Sequence, residues 1–233
     1  MKIFCIIPAY NEEKNIIEVL EKLQKLTFSN QEPVLEKIIV VDDGSQDRTS
    51  QLASEIAKKN SQIISLRHLI NRGQGAALQT GNQYAIQEKA DLVVHFDADN
   101  QFIAQEIKDI IKPIIEHEAD IVFGSRFLEK KSDIPFVKKN IIMPLARIVN
   151  KVFLKINLTD PQSGFRAMNK KALKKIKITN DGMAHCSEIL FKSFQNNLEI
   201  KEIPITVIYH DYGQKLNGGI KIIKDLLISK ILK

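Results

Sequence analysis

Two aspartates, two residues apart, close an apolar run in the stretch Leu92-Val93-Val94-His95-Phe96-Asp97-Ala98-Asp99-Asn100-Gln101. Hard carboxylate oxygens at that spacing suit Mg²⁺ or Mn²⁺ bridging to a diphosphate. The same two side chains would also serve as caps for a helix beginning near Phe102. The ten residues alone leave both readings open. His95, inside the apolar run, reads as a packed core residue rather than a ligand.

Carboxylates recur wherever an apolar run ends. Glu12 follows the first such run, Asp42 and Asp43 the second, and Asp97 and Asp99 the fourth. Carboxylates accept hydrogen bonds from ribose and base edges but repel a bare diphosphate, and a divalent cation resolves that conflict. Gly73-Gln74-Gly75 offers backbone amides that a phosphate can approach closely. It is no dinucleotide fingerprint, because the third glycine is missing and position 78 is Leu. No Gly-x-x-x-x-Gly-Lys-Ser/Thr loop occurs either. A nicotinamide dehydrogenase and a P-loop ATPase are both disfavoured.

These residues need a scaffold that brings strand ends together, and the chain alternates strand and helix patterns. Strands are predicted at Lys2–Ile7, Glu36–Val41, Ile63–Leu66, Leu92–Phe96 and Asp120–Phe123. Helices are predicted at Glu13–Leu26, from an Asp47 cap to Lys59, at Ala76–Glu88 and at Ile103–Glu118. Repeated βα units imply an α/β fold, a mainly parallel central sheet with helices on both faces. Ligands then collect outside the carboxyl ends of the strands. Past Arg126 the reading is a basic amphipathic stretch at Lys138–Lys155, a turn-rich segment at Thr159–Arg166, a helix at Ser187–Gln195, a strand at Ile200–Tyr209 and an amphipathic helix at Gly219–Lys233.

At 233 residues and 44% hydrophobic, the chain can bury a substantial core. One domain is expected over 1–233, with a nucleotide- and metal-binding part (1–126), an acceptor part (127–210) and an amphipathic end (211–233). Two cysteines make no disulfide framework, and Cys5 reads as a small buried residue, which fits a reducing cytoplasm. No uncharged apolar stretch reaches the roughly 18–20 residues needed to cross a bilayer, and the amino terminus lacks a signal-peptide layout. The expected location is cytoplasmic, with peripheral seating on the inner face of the cell membrane. The net charge of +6 is uneven, since residues 127–180 hold 13 Lys/Arg against 3 Asp/Glu. A basic surface of this kind attracts nucleic acid, anionic lipid or a phosphorylated substrate, or is simply a solvated lysine surface.

Taken together, IIPAYNEE (6–13), VVDDGSQDRT (40–49), NRGQGAALQTG (71–81), DADNQ (97–101), GSR (124–126) and DPQSGFRAM (160–168) resemble the inverting family 2 glycosyltransferases. Within them the set resembles the dolichol- or polyprenyl-phosphate sugar synthases. The resemblance runs in matching order over roughly residues 3 to 210. It implies a GT-A type fold, a UDP- or GDP-linked sugar donor and a divalent metal, Mg²⁺ or Mn²⁺. By resemblance, Pro8, Tyr10, Asn11, Glu12, Asp42 and Asp43 line the nucleoside pocket, with Gly73 and Gln74 beside the donor. Asp97, Asp99 and Gln101 hold the metal and diphosphate. Arg126 and Arg166 face the acceptor phosphate or the donor diphosphate, with Asp160 and Ser163 near the reacting sugar. Lys215 would bring charge over the diphosphate, although His210–Gln214 departs from the family's arginine-rich form.

The resemblance also bears on partners. A polyprenyl phosphate acceptor is already ionised near neutral pH, because a phosphate's second pKa is about 6, so no strong base is needed. A saccharide hydroxyl acceptor would need a carboxylate base, and Asp160 is then the candidate. Asp160 read without the family is a turn residue before Pro161. Lys138–Lys155 and Gly219–Lys233 are expected on an anionic membrane surface, or else as core or dimer contacts. No nucleic acid partner is expected; a second copy or a membrane-protein partner stays open. Other readings are a soluble glycosyltransferase acting in surface polysaccharide synthesis and a non-catalytic nucleotide-sugar-binding module. A nucleotidyltransferase would show a glycine- and lysine/arginine-rich loop after the first strand, where this chain has Pro8-Ala9-Tyr10-Asn11-Glu12.

Overall fold

The structure is a computed structural model and describes residues 1–26, 35–128 and 158–208. The strands are β1 (Ile3–Ala9), β2 (Leu35–Asp42), β3 (Ile63–Arg67), β4 (Leu92–His95), β5 (Ile121–Ser125), β6 (Arg166–Asn169) and β7 (Ile200–Pro204). They form one sheet in the order β3-β2-β1-β4-β6-β5-β7. Every pairing is parallel except those of β6, which runs antiparallel between β4 and β5. The helices are α1 (Ile16–Gln24), α2 (Thr49–Lys59), α3 (Gln74–Gln87), α4 (Ile107–Ile115), α5 (Lys170–Lys175) and α6 (His185–Gln195).

Alternation along the strands splits the core in two. Ile3, Cys5 and Ile7 of β1 point to one face with Ile16, Leu20 and Leu23 of α1 and Ile107, Ile110 and Ile111 of α4. Phe4 and Ile6 point to the other with Ala77, Leu78 and Ala85 of α3 and Ile189 and Leu190 of α6. A central strand buried on both faces must read as a continuous apolar run, as Ile3–Ile7 does. Cys5 is fully buried and free, and burial pushes its thiol well above the usual range.

Several expected boundaries shift. β1 continues to Ala9, so Pro8 lies inside a strand, buried and paired with Val41. A proline is tolerated there because the ladder to β4 has already ended at Ile6–His95, and no donor is missed. The helix expected over Ile103–Glu118 is a 3₁₀ turn at Ala104–Glu106 followed by the shorter α4. β7 stops at Pro204 instead of reaching Tyr209, where its ladder with β5 ends at Ser125. The turn-rich segment ends in β6, and four residues are too few to show a period; α5, directly after it, is also unanticipated. The stretches Lys138–Lys155 and Gly219–Lys233, and the segment from Tyr209 to Lys215, lie outside the described residues. Among the described residues, no helix is long and apolar enough to cross a membrane.

Candidate active site

The carboxyl ends of β1, β2 and β4 lie side by side, which gathers Glu12, Asp42, Asp43, Asp97 and Asp99 along one rim of the sheet. The Asp97–Gln101 loop is pinned at both feet by aromatic rings. Phe96 packs edge-on against Phe102 and Phe165, at 5.7 and 5.4 Å between ring centres, and Phe102 stacks on Phe165 at 5.0 Å. Three buried rings fix where the two aspartates leave the core.

Asp97 is then aimed by its neighbours. Gln74, the first residue of α3, donates from Nε2 to Asp97 Oδ1 at 2.8 Å. The other oxygen lies over Gly164, where an added Cβ would come within 2.4 Å of Oδ2. Burial, and after it the negative charges of Asp99 and Cys186, push the Asp97 carboxyl up to about 7, against the pull of Arg166 and His185. Asp99 accepts the Gln101 amide through Oδ1 at 3.1 Å. Burial chiefly raises Glu12, with Asp99 and Asp47 adding to it and a hydrogen bond from Asn15 opposing. Mutual repulsion of this kind fits a site built for a dication, which relieves it. Asp97 and Asp99 are the residues that would hold it; two carboxylates leave the other positions of an oxygen-bound cation for diphosphate and water. Gln101 takes part here through its backbone, donating to Asp99 and accepting from the Ile208 amide.

The loop after β1 and the loop after β2 are laced together. Asn11 and Glu12 donate their amides to Ser45 Oγ and Thr49 Oγ1, and the Asn11 side chain accepts from Gln46 N. The sequence places the α2 cap at Asp47, but the N-cap is Arg48, and Asp47, one residue earlier, accepts from Thr49 N. Tyr10 projects from this rim, 42% exposed. Asp42 is fully buried, with Arg67 Nε 3.3 Å from its Oδ2.

Two of the expected ligand-binding residues, Asp43 and Gly73, are engaged within the protein. Asp43 is turned inward: its carboxylate accepts from the Arg72 and Gly73 amides at 3.1 and 2.6 Å and lies 2.7 Å from His68 Nδ1. It holds the 68–73 loop. In the Gly73-Gln74-Gly75 turn the Gly73 amide donates to Asp43, and those of Gly75 and Ala76 donate to the Asp181 carbonyl at 2.8 and 3.3 Å. Gly73 serves that packing: its φ is +117°, and a Cβ there would meet the Asp181 oxygen at 2.3 Å.

On the other side of the rim, Arg126 follows β5 and meets Asp160. Its Nε and Nη2 donate to Oδ2 and Oδ1 of Asp160 at 2.6 and 2.7 Å, and its amide donates to Oδ2 at 3.2 Å. The Asp160 side chain is 1% exposed and that of Arg126 is 16% exposed. Ser163 is buried two residues before Phe165, and its amide donates to the Asp160 carbonyl. Arg166 departs from expectation. It is wholly buried, donating from Nη2 to the Ser163 carbonyl at 2.6 Å and to Cys186 Sγ at 3.2 Å. It begins β6 opposite His95, which directs its side chain under the rim. His95 is a core residue, 2.9 Å from Asn82, and burial drives its imidazole well below the usual range, with Arg166 and His185 adding to that. Burial alone would raise the Cys186 thiol, but His185 and Arg166 outweigh it and bring the thiol down to about 6. Glu188 is occupied too, closing on Lys192 and on the Thr179 and Asn180 amides. Lys215 lies outside the described residues.

Sequence reasoning missed Glu202. From β7 its carboxylate accepts the Thr159 amide with both oxygens, at 2.9 and 2.8 Å, and the Asp160 amide at 2.9 Å. No motif marks it; only the pairing of β7 with β5, Phe123 opposite Glu202, brings it there.

The profile described as Glycosyl transferase family 2 matches residues 4–177. The chain is 36% identical over 257 residues to the UDP-N-acetylglucosamine–dolichyl-phosphate N-acetylglucosaminyltransferase of Methanococcus voltae, covering 99% of this chain and 97% of that protein. It is 33% identical over 227 residues to the dolichol-phosphate mannosyltransferase of Pyrococcus furiosus, covering 94% of this chain and 60% of the relative. Among solved structures, glucosyl-3-phosphoglycerate synthase from Mycobacterium tuberculosis, crystallised with Mn²⁺, UDP-glucose and phosphoglyceric acid, superposes with a TM-score of 0.71 at 22% identity. That match covers 97% of this chain and 78% of the other.

Proposed function

The chain belongs to glycosyl transferase family 2 and has the GT-A type fold, and from that premise we propose that it moves a sugar from a nucleoside-diphosphate donor to a polyprenyl phosphate, inverting the anomeric carbon. The dolichyl- and dolichol-phosphate acceptors in its relatives' names support the acceptor class. The observation that carries the reading is the pairing of two opposite sites on one rim, with Asp97 and Asp99 on one side and Arg126 with Asp160 on the other.

The proposed roles rest on the family resemblance of these residues and on their common position along the rim. Asp42, Glu12, Asn11 and Tyr10 are assigned to the nucleoside, and Asp97 and Asp99, with Gln101 beside them, to Mg²⁺ or Mn²⁺. When bound, the cation neutralises the charge that grows on the departing diphosphate. Gln74 and Gly164 keep the Asp97 carboxylate facing outward. Arg126 orients the acceptor phosphate, whose oxygen forms the new bond to the anomeric carbon as the donor's glycosyl–phosphate bond breaks on the opposite face. The acceptor arrives ionised, so no group on the protein has to take its proton. The burial of Asp160 and its bidentate pairing with Arg126 favour this acceptor over a sugar hydroxyl, which would need Asp160 as a base.

The test is a panel of UDP- and GDP-sugars with Mg²⁺ or Mn²⁺, read by thermal shift and donor hydrolysis, and then the best donor with a short polyprenyl phosphate. Metal-dependent formation of the polyprenyl-phospho-sugar is the expected result. Turnover of that donor onto saccharides but not onto the lipid phosphate would refute the acceptor assignment.

A further inference from the structure

The acceptor side of the rim is built from chain segments that have no local reason to sit together. Arg126 follows β5, Thr159 and Asp160 lie in an irregular loop, and Glu202 projects from β7. Glu202 closes the circuit. It takes the Thr159 amide with both carboxylate oxygens, the Thr159 hydroxyl with Oε1 at 3.1 Å, and the Asp160 amide with Oε1 at 2.9 Å. Thr159 Oγ1 in turn lies 2.5 Å from Ser125 Oγ, which accepts the Phe127 amide. The residues on either side of Arg126 and the backbone of Asp160 are therefore tied to one another through Thr159, and Glu202 anchors that tie.

The chemistry of this anchor is restrictive. Every group presented to Glu202 by Thr159 and Asp160 is a donor, and the Thr159 amide touches both oxygens, so the position needs a side chain that only accepts. A glutamine of the same shape would set an NH₂ against an N–H. Without the anchor, the Asp160 amide loses its partner and the carboxylate loses its fixed distance to Arg126. A bidentate pair tolerates little displacement, because both contacts depend on coplanar geometry.

We infer that Glu202 is a positioning residue for acceptor binding: by holding the Thr159 and Asp160 amides it fixes Asp160, and through Asp160 the Arg126 guanidinium that meets the acceptor anion. This rests on the proposed acceptor role of Arg126. Glu202 itself touches neither substrate.

The experiment uses Glu202→Gln in the full chain with two readouts. In transfer assays with the best nucleotide-sugar donor and a short polyprenyl phosphate, KM for the acceptor should rise about tenfold or more, while the donor Kd, measured by titration without acceptor, stays within about twofold. Equal movement of both constants, or of neither, would overturn the inference. The second readout needs no activity. In urea unfolding, Glu202→Gln should lower the midpoint clearly less in an Arg126→Met background than in the wild type, because part of what Glu202 supports is then already gone. Equal drops in both backgrounds would overturn the inference as well. If wild-type protein transfers nothing to polyprenyl phosphate, the functional proposal fails on that result alone, and the urea cycle still decides whether Glu202 positions the pair. Should Glu202→Gln not fold, Glu202→Asp, which keeps the charge but retracts it by one methylene, carries the same readouts.

Discussion

Gly164 and Asp97 are packed so tightly that a Cβ on the glycine would sit 2.4 Å from Oδ2 of the aspartate. Gly164 precedes Phe165, whose ring is locked against Phe96 and Phe102, so the glycine backbone cannot retreat. The carboxylate must therefore yield to any larger residue. Gly164→Ala should weaken Mn²⁺ binding by about tenfold or more, with the melting midpoint little changed. Electron paramagnetic titration of Mn²⁺ in the presence of a nucleoside diphosphate would check this, and unaltered affinity would contradict the placement.

Asp99→Asn removes one of the two carboxylates assigned to the cation without changing the side chain's size, and Oδ1 can still accept the Gln101 amide. The fold should survive. Metal-dependent kcat should fall by about 100-fold or more, the scale of losing a principal electrostatic contact in a transition state. Steady-state rates over a Mn²⁺ series would measure it. Undiminished turnover would reject the cation site.

Asp43→Ala should behave quite differently from Asp99→Asn. It strips the partner from two backbone amides and from His68, all in a partly buried loop. Each orphaned group costs about 1–3 kcal/mol, and for a chain of this size the melting midpoint should drop by about 10 °C or more. Calorimetry on the variant with and without donor separates this loss of stability from a loss of ligand contact.

That contrast shows what could be read from the sequence and what could not. The parallel sheet was legible because Ile3–Ile7, Ile38–Val41 and Leu92–Val94 are continuous apolar runs, each followed by a polar break. The rim carboxylates were legible because they stand at those breaks. Sequence does not tell which way a carboxylate turns. Asp42 and Asp43 are neighbours, yet one lies beside Arg67 and the other closes on a loop 30 residues away. Arg166 reads as a phosphate ligand because the run DPQSGFRAM (160–168) resembles the family's. Its burial follows from the strand β6, which four residues with no clear period did not announce. Glu202 was invisible for a related reason, since only the register of β7 on β5 carries it to Asp160.

A pH effect on stability should arise away from the rim, at Asp120. Burial would raise its carboxyl, but hydrogen bonds from Lys171, Asn169 and the Glu199 amide outweigh burial and hold it below the ordinary carboxylate range. A group depressed in the folded state contributes stability that is present above its unfolded value, about 3.9, and is lost as pH falls through the folded value. Asp120 ties the start of β5 to the end of β6 and to the residue before β7, so the loss is felt across three strands. Wild type should therefore lose its advantage over Asp120→Asn as pH falls below about 4. Urea unfolding of both proteins between neutral and acidic pH would show it. A constant difference across that range would contradict the assignment.

Asp160 offers the sharpest discrimination between acceptors. Its two oxygens are both engaged by Arg126, at 2.6 and 2.7 Å, and its side chain is 1% exposed, so acting as a base would mean giving up part of that pairing. An ionised phosphate acceptor asks for no proton transfer, and what it needs from Asp160 is a correctly held Arg126. Asp160→Asn keeps one oxygen for that guanidinium and should cost only about tenfold in kcat/KM toward polyprenyl phosphate, chiefly through KM. A hydroxyl acceptor would instead lose a general base, a cost of about 10²–10⁴ borne mainly by kcat. The two outcomes differ in size and in which constant moves. A loss of the larger kind with polyprenyl phosphate as acceptor would show that Asp160 leaves Arg126 during the reaction and handles a proton after all.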